Sequence, residues 1–142
     1  MAEQQTIFVK ILLPQKPFLV KEVLSVEIPA YEGPYLVLPR RAPSLMLLRC
    51  GVVTLRETET SKPEKYFITT GFTKIRDNGC TILTRKAVNV EEVDPAEMKK
   101  KLAEYEELEK SDDAQNHFAA LNEEKTAFFR MVVGYCEKRN LS

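Results

Sequence analysis

Two arginines held between two prolines, in Pro39-Arg40-Arg41-Ala42-Pro43, have the residue types and spacing of a docking element. Proline fixes φ and removes a donor, so the segment is stiff and cannot join a hydrogen-bonded ladder at those points. Stiffness with exposed positive charge suits an encounter with a partner. The plainer role is a link to the apolar run Met46-Leu47-Leu48. Groups for covalent or acid–base chemistry are sparse. The single histidine, His117, sits between Asn116 and Phe118 in a helical stretch and reads as solvent-facing. Glu104, Glu106, Glu107 and Glu109 form a solvated helix face rather than a paired acid and base. Cys50, Cys80 and Cys136 lie far apart with no CxxC pair, the usage of reduced structural thiols in a reducing compartment. No GxxxxGK[ST], GxGxxG or HExxH motif occurs. Catalysis needs a nucleophile–base pair, a metal cluster or a phosphate loop. No catalytic, cofactor-binding or metal-binding residue is therefore expected.

The elements that must position the arginine pair change character at Asp94. Before it, apolar residues alternate or come in short β-branched runs such as Val52-Val53-Thr54-Leu55, Tyr66-Phe67-Ile68-Thr69 and Thr81-Ile82-Leu83-Thr84. Strands are expected over 6–13, 18–20, 23–28, 35–38, 51–57, 64–70, 71–76, 80–85 and 87–93. Asp77-Asn78-Gly79 is the strongest hairpin signal, because Asn-Gly tolerates the positive φ of a tight turn. Short strands at close spacing, with no helix between them, predict an antiparallel sandwich or flattened barrel.

After Asp94 the spacing is helical. Asp94-Pro95-Ala96-Glu97 reads as an N-cap followed by a first turn, with Glu97 able to reach back to the cap. A helix over 95–110 carries Met98, Leu102, Tyr105 and Leu108 on one face, and Ser111-Asp112-Asp113 reads as the break. A second helix over 114–138 carries a heptad seam of Ala114, Phe118, Leu121, Lys125, Phe128, Val132 and Tyr135. Phe129, Val133 and Cys136 widen it, while Gly134 weakens the last turns by about 1 kcal/mol relative to alanine. The division expected is a mostly β domain over 1–90 and a C-terminal α-helical hairpin over 91–142. Charge divides there too: 13 Lys/Arg against 8 Asp/Glu before the boundary, 8 against 13 after it. The net charge of zero therefore conceals a basic half and an acidic one. The apolar runs are too short to span a bilayer, and Met1 to Thr6 shows no signal-peptide pattern.

Three segments carry a resemblance. Glu32-Gly33-Pro34-Tyr35-Leu36-Val37-Leu38-Pro39-Arg40-Arg41-Ala42-Pro43-Ser44-Leu45 resembles E-G-E-x-G-V-L-P-G-H-A-P-L of the ε subunit of F-type ATP synthases. Phe67-Ile68-Thr69-Thr70-Gly71-Phe72 resembles its F-x-S-G-G-F/I, and Asp77 to Leu83 with Ala87 its N-x-V-T-V-L-A-x-x-A. The helical tail begins where that family's begins. Departures are Pro34 for the second acidic residue, Leu36 for the following glycine, Arg40-Arg41 for Gly-His, and Thr70 for the first glycine of Ser-Gly-Gly.

The resemblance implies a non-catalytic rotor subunit of the central stalk, binding the γ subunit and the membrane ring of c subunits. It implies coupling of proton translocation to ATP synthesis and restraint of ATP hydrolysis. Glu32, Gly33, Leu38, Pro39, Arg40, Arg41, Ala42 and Pro43 would meet the ring and shaft. Lys125, Arg130, Lys138 and Arg139 would face the α and β catalytic subunits when the second helix leaves the hairpin. Some members bind ATP through I/L-D-x-x-R-A at the start of the first helix. Glu97 stands at the arginine position here and would repel phosphate, so no functional ATP site and no cofactor is expected. With no import leader in view, the implied location is peripheral, at the cytoplasmic face of a bacterial inner membrane. The alternatives are a β-barrel nucleic-acid-binding module or another protein-interaction module. The acidic tail and the lack of aromatics interleaved with Lys and Arg oppose the nucleic-acid reading.

Overall fold

The computed structural model describes residues 5–40, 42–110 and 119–141. The chain divides into two units, Met1–Glu91 and Glu92–Ser142. The first is all β: β1 (Ile7–Leu12), β2 (Pro17–Val23), β3 (Ser25–Ala30), β4 (Gly33–Val37), β5 (Ser44–Leu48), β6 (Gly51–Arg56), β7 (Glu64–Ile68), β8 (Gly71–Arg76), β9 (Gly79–Thr84) and β10 (Ala87–Asn89). They hydrogen-bond in the order β10-β7-β6-β3-β5-β8-β9-β1-β2, with β4 added on β3. The result is a nearly closed sandwich, as the alternation predicted. Each described pairing is antiparallel save one, β1 with β9, which is parallel. That exception joins elements 71 residues apart in sequence (Val9 opposite Cys80), a non-local choice that no local pattern encodes.

Four local expectations are corrected. Residues 17–23 form one strand, and Leu24 breaks it from β3. The strand expected over 87–93 ends at Asn89, whose Oδ1 accepts from the Glu91 amide at 2.8 Å and starts a 3-10 turn over Val90–Glu92. Ser44–Leu48 is a strand rather than an extension of the proline-bounded loop. The β8–β9 turn is centred on Asp77 (φ 50) and Asn78 (φ 58), with Arg76 opposite Gly79. Both central residues of this two-residue turn are left-handed, which Asp and Asn tolerate best among non-glycine residues.

Inward residues of both layers make the core, with Ile7, Val9, Ile11, Val26, Ile28, Leu55, Ile75 and Ile82 essentially inaccessible to solvent. A seam of side chains joins edge strand β2 to β7, the strand next to the opposite edge. Phe18 of β2 meets Tyr66 of β7 edge to face at 5.7 Å between centroids. Lys21, which faces the interior side of edge strand β2, pairs with Glu57 and Glu64, and the Tyr66 hydroxyl donates to Glu64 at 2.9 Å. Inward charge on an edge strand guards against pairing with another chain.

These contacts shift all three titrations. The hydrogen bond from Lys21 holds the Glu64 carboxyl below its usual range. Burial, with the bond to Glu64, pushes the Tyr66 phenol up to about 12. Hydrogen bonds to Glu57 and then Glu64 raise Lys21. A depressed carboxyl stabilises above its unfolded pKa and loses this as pH falls. A raised phenol or ammonium stabilises below its unfolded pKa and loses this as pH rises. The seam is thus expected to hold between about pH 5 and about pH 10. The chain's melting temperature against pH should fall on both flanks, and a Lys21→Met chain should show shallower flanks.

The second unit has α1 (Pro95–Lys110) and α2 (Ala119–Leu141). Asp94 caps α1: its Oδ1 accepts from the Ala96 amide at 3.0 Å and its carbonyl from Met98 at 3.1 Å. The helices run antiparallel as a hairpin, with Lys99 near Glu137 (3.8 Å) and Glu106 near Arg130 (3.4 Å). Tyr105 stacks on Phe129 at 5.3 Å. Of the expected seam, Phe128 and Val132 are buried, Tyr135 is half-buried and Lys125 is exposed. The widening residues Phe129, Val133 and Cys136 are buried as well. Ala114, Phe118, His117 and the expected break at 111–113 lie outside the described residues, as do the side chains of Leu108 and Leu121.

Candidate partner-binding site

The β3–β4 hairpin turns through Tyr31 and Glu32, with Ala30 opposite Gly33. Gly33 has φ 136, a backbone conformation that a side chain rarely adopts. Strand β5 runs past this turn. The Tyr31 amide donates to the Leu47 carbonyl at 3.2 Å, and the Arg49 amide to the Pro29 carbonyl at 2.7 Å. Between turn and strand lies an open recess of about 800 Å³. Its walls include Tyr31 (57% exposed), Leu45 (71%) and Leu47 (66%), large apolar side chains left in solvent. Among the described residues Glu32 is its one charged lining residue. An apolar wall with a single carboxylate performs no bond chemistry. It suits an apolar surface that brings a cation or a hydrogen-bond donor.

Of the expected contact residues, Glu32 and Gly33 thus line the recess. Leu38 is 52% exposed at the end of β4, where Pro39 and Arg40 follow it into the connection to β5. Ala42 and Pro43 are exposed, Arg41 lies outside the described residues, and β5 begins at Ser44. Arg40 is exposed with φ 65, and its amide donates to the Asn78 side-chain oxygen at 2.7 Å. One hydrogen bond therefore ties the connection to the β8–β9 turn. The departure to Arg40 noted above therefore carries a cost, since glycine would be unstrained in this left-handed backbone. An L side chain costs about 1–2 kcal/mol in that conformation, partly offset by glycine's larger unfolded-state entropy. Arg40→Gly is expected to stabilise the chain by about 0.5–1 kcal/mol in urea unfolding. The sequence reading missed Tyr31, Leu45 and Leu47, although leucine at every other position beside a proline-bounded loop was a usable signal.

In the helical unit, Lys125 and Arg130 engage the hairpin itself. The Lys125 ammonium lies 5.9 Å from the Tyr105 ring centroid, and Arg130 pairs with Glu106 at 3.4 Å. Lys138 is exposed, and the Arg139 side chain lies outside the described residues. Exposed contacts of this kind contribute at most about 1 kcal/mol each, so both cations exchange partners at little cost. Burial pushes the Cys80 thiol up, away from the reactive thiolate form. Among the described residues no His, Cys, Asp and Glu cluster could hold a metal ion, and no helix is long and apolar enough to cross a membrane.

Comparison with known proteins gives a concordant result. Residues 6–90 match the family model described as ATP synthase, delta/epsilon chain, beta-sandwich domain. The ATP synthase epsilon chain of Rhizobium meliloti is 34% identical over 105 residues, 73% of this chain and 78% of that one. The epsilon chain of Sinorhizobium medicae is 31% identical over 131 residues, 91% and 97% of the two chains. Among solved structures, a chain of the Euglena gracilis mitochondrial ATP synthase superposes with TM-score 0.75 at 23% identity, covering 92% of this chain and 81% of that one. A chain of the Tetrahymena thermophila mitochondrial ATP synthase central stalk and c-ring superposes with TM-score 0.57 at 17% identity, covering 93% and 99%. At these identities the two superpositions speak to the fold.

Proposed function

The chain belongs to the ATP synthase delta/epsilon chain family, and from that premise we propose that it works in the rotor of an F-type ATP synthase. As a member of that family it is a non-catalytic subunit, the catalytic sites lying on other subunits. It binds the γ subunit of the shaft and the membrane ring of c subunits, and so couples proton translocation to ATP synthesis. Its helices restrain ATP hydrolysis through transient contact with the α and β subunits. Its location is peripheral, at the cytoplasmic face of a bacterial membrane, a reading supported by the rhizobial relatives.

One observation carries the partner reading: residues 6–90 match the family's β-sandwich model, and within them an apolar recess opens beside Glu32 and Gly33. A monomer gains nothing by leaving Leu45 and Leu47 in water, so their exposure supports a partner that covers them. The restraint reading is supported by the weak exposed contacts of Lys125 and Arg130, which leave both cations available to acidic partners. Replacing Lys125, Arg130, Lys138 and Arg139 together by alanine is expected to relieve inhibition of ATP hydrolysis several-fold in a γ-containing catalytic subcomplex. Inhibition unchanged by the four substitutions would sink this part of the proposal.

A further inference from the structure

A second recess, on the outward face of β1, β8 and β9, is cationic. Strand register builds it from two cross-strand rows. Phe8, Gly79 and Arg76 lie side by side in one row, and Lys10, Thr81 and Lys74 in the next. Gly79 brings no side chain, so a hollow of about 500 Å³ opens between Phe8 and Arg76, closed at one end by Asp77 and Asn78. Lys10 and Lys74 flank Thr81 from the two neighbouring strands. Their backbones are about 10 Å apart, twice the spacing of adjacent strands, a gap that two four-carbon stems close onto a single group.

The charges in this hollow are not balanced. Lys10 and Lys74 are exposed, and neither has a carboxylate partner among the described residues. Arg76 pairs through Nε with Asp77 at 3.2 Å, which accounts for the one acidic lining residue. The Thr81 hydroxyl has no protein partner among the described residues, since Thr73 bonds to the Thr81 carbonyl instead. Unneutralised like charges repel and oppose folding, so their convergence calls for an anion to offset them. Several donors around one point suit the multiple acceptor oxygens of a phosphoryl group better than the two of a carboxylate. Phe8, 52% exposed at the wall, suits the organic part of an ester.

We propose that this hollow, with Lys10, Lys74, Arg76 and Thr81 as donors, is a binding site for a phosphate ester. The phosphoryl group is either that of a soluble ester or that of a phospholipid headgroup. The site shares no residue with the start of α1 and does not depend on the rotor reading.

The test is an amide chemical-shift titration of the full chain with inorganic pyrophosphate. Saturable shifts centred on Phe8, Gly79 and Thr81 are expected, with binding at least tenfold weaker in Lys10→Gln/Lys74→Gln. Both side chains are exposed and their charges repel, so the variant should melt no lower than the parent. Absent shifts, shifts that never saturate, or shifts equal in the double variant overturn the proposal. Cosedimentation with phosphatidylglycerol vesicles, against phosphatidylcholine alone, separates the two sources. Sedimentation reversed by pyrophosphate identifies the headgroup, whereas saturable pyrophosphate shifts without sedimentation identify a soluble ester. Vesicle binding retained in full by the double variant overturns a headgroup role.

Discussion

Gly71→Ala is expected to destabilise the chain by about 3 kcal/mol or more, the largest loss among its glycine-to-alanine substitutions. Gly71 opens β8 in the middle of its layer, opposite Leu48 of β5 and Thr84 of β9. A Cβ built there would stand 2.0 Å from the Leu83 carbonyl oxygen and 3.2 Å from the Thr84 Cα. Both are backbone atoms, so no rotamer change relieves the clash, and β8 and β9 must separate. Separation also disturbs a buried hydroxyl pair, Thr69 with Thr84 at 2.8 Å, the latter donating to the Thr69 carbonyl at 3.0 Å. For a domain of this size the melting temperature should drop by about 12 °C or more. Gly134→Ala is the control: nothing lies within 4 Å of its Cβ position, so it should be neutral or stabilising by up to about 1 kcal/mol. A Gly71→Ala chain that melts within about 3 °C of the parent would show that the β8–β9 approach is looser than described.

Leu45→Ser/Leu47→Ser should separate binding from folding. Both side chains are already mostly in solvent, at 71% and 66% exposure, so stability should change by less than about 0.5 kcal/mol per site. If a rotor partner covers the recess, each leucine loses about 1.5 kcal/mol of burial or more in the complex. The pair together then weakens association with a γ-containing subcomplex by about 100-fold, seen in the dissociation rate. Affinity within threefold of the parent would remove the recess from the interface.

The two leucines also show what the sequence conveyed and what it hid. Strands β1, β6, β8 and β9 were legible because inward residues, mostly Ile, Val and Thr, alternate with outward ones that include Lys10, Thr54, Lys74, Arg76 and Thr81. The hairpin of α1 and α2 was legible because a cap, a charged face and an apolar stripe agreed on one period. Strand β5 was hidden because Leu45 and Leu47 face outward while Leu48 faces inward, so the alternation that defines a half-buried strand is absent. What hid the strand is what makes the recess. The parallel pairing of β1 with β9 was illegible for another reason. It is set by which strands close the sheet, a property of the whole core rather than of either segment. Likewise the Lys21–Glu57–Glu64 seam joins residues 36 and 43 positions apart, beyond the reach of any local pattern.

The central claim is that this chain is a rotor subunit whose helices restrain hydrolysis. It is tested most directly by measuring ATP hydrolysis by a γ-containing catalytic subcomplex, with the full chain and with a chain ending at Val93. The account predicts that both chains bind and that only the full chain inhibits. Failure of both chains to bind would contradict it.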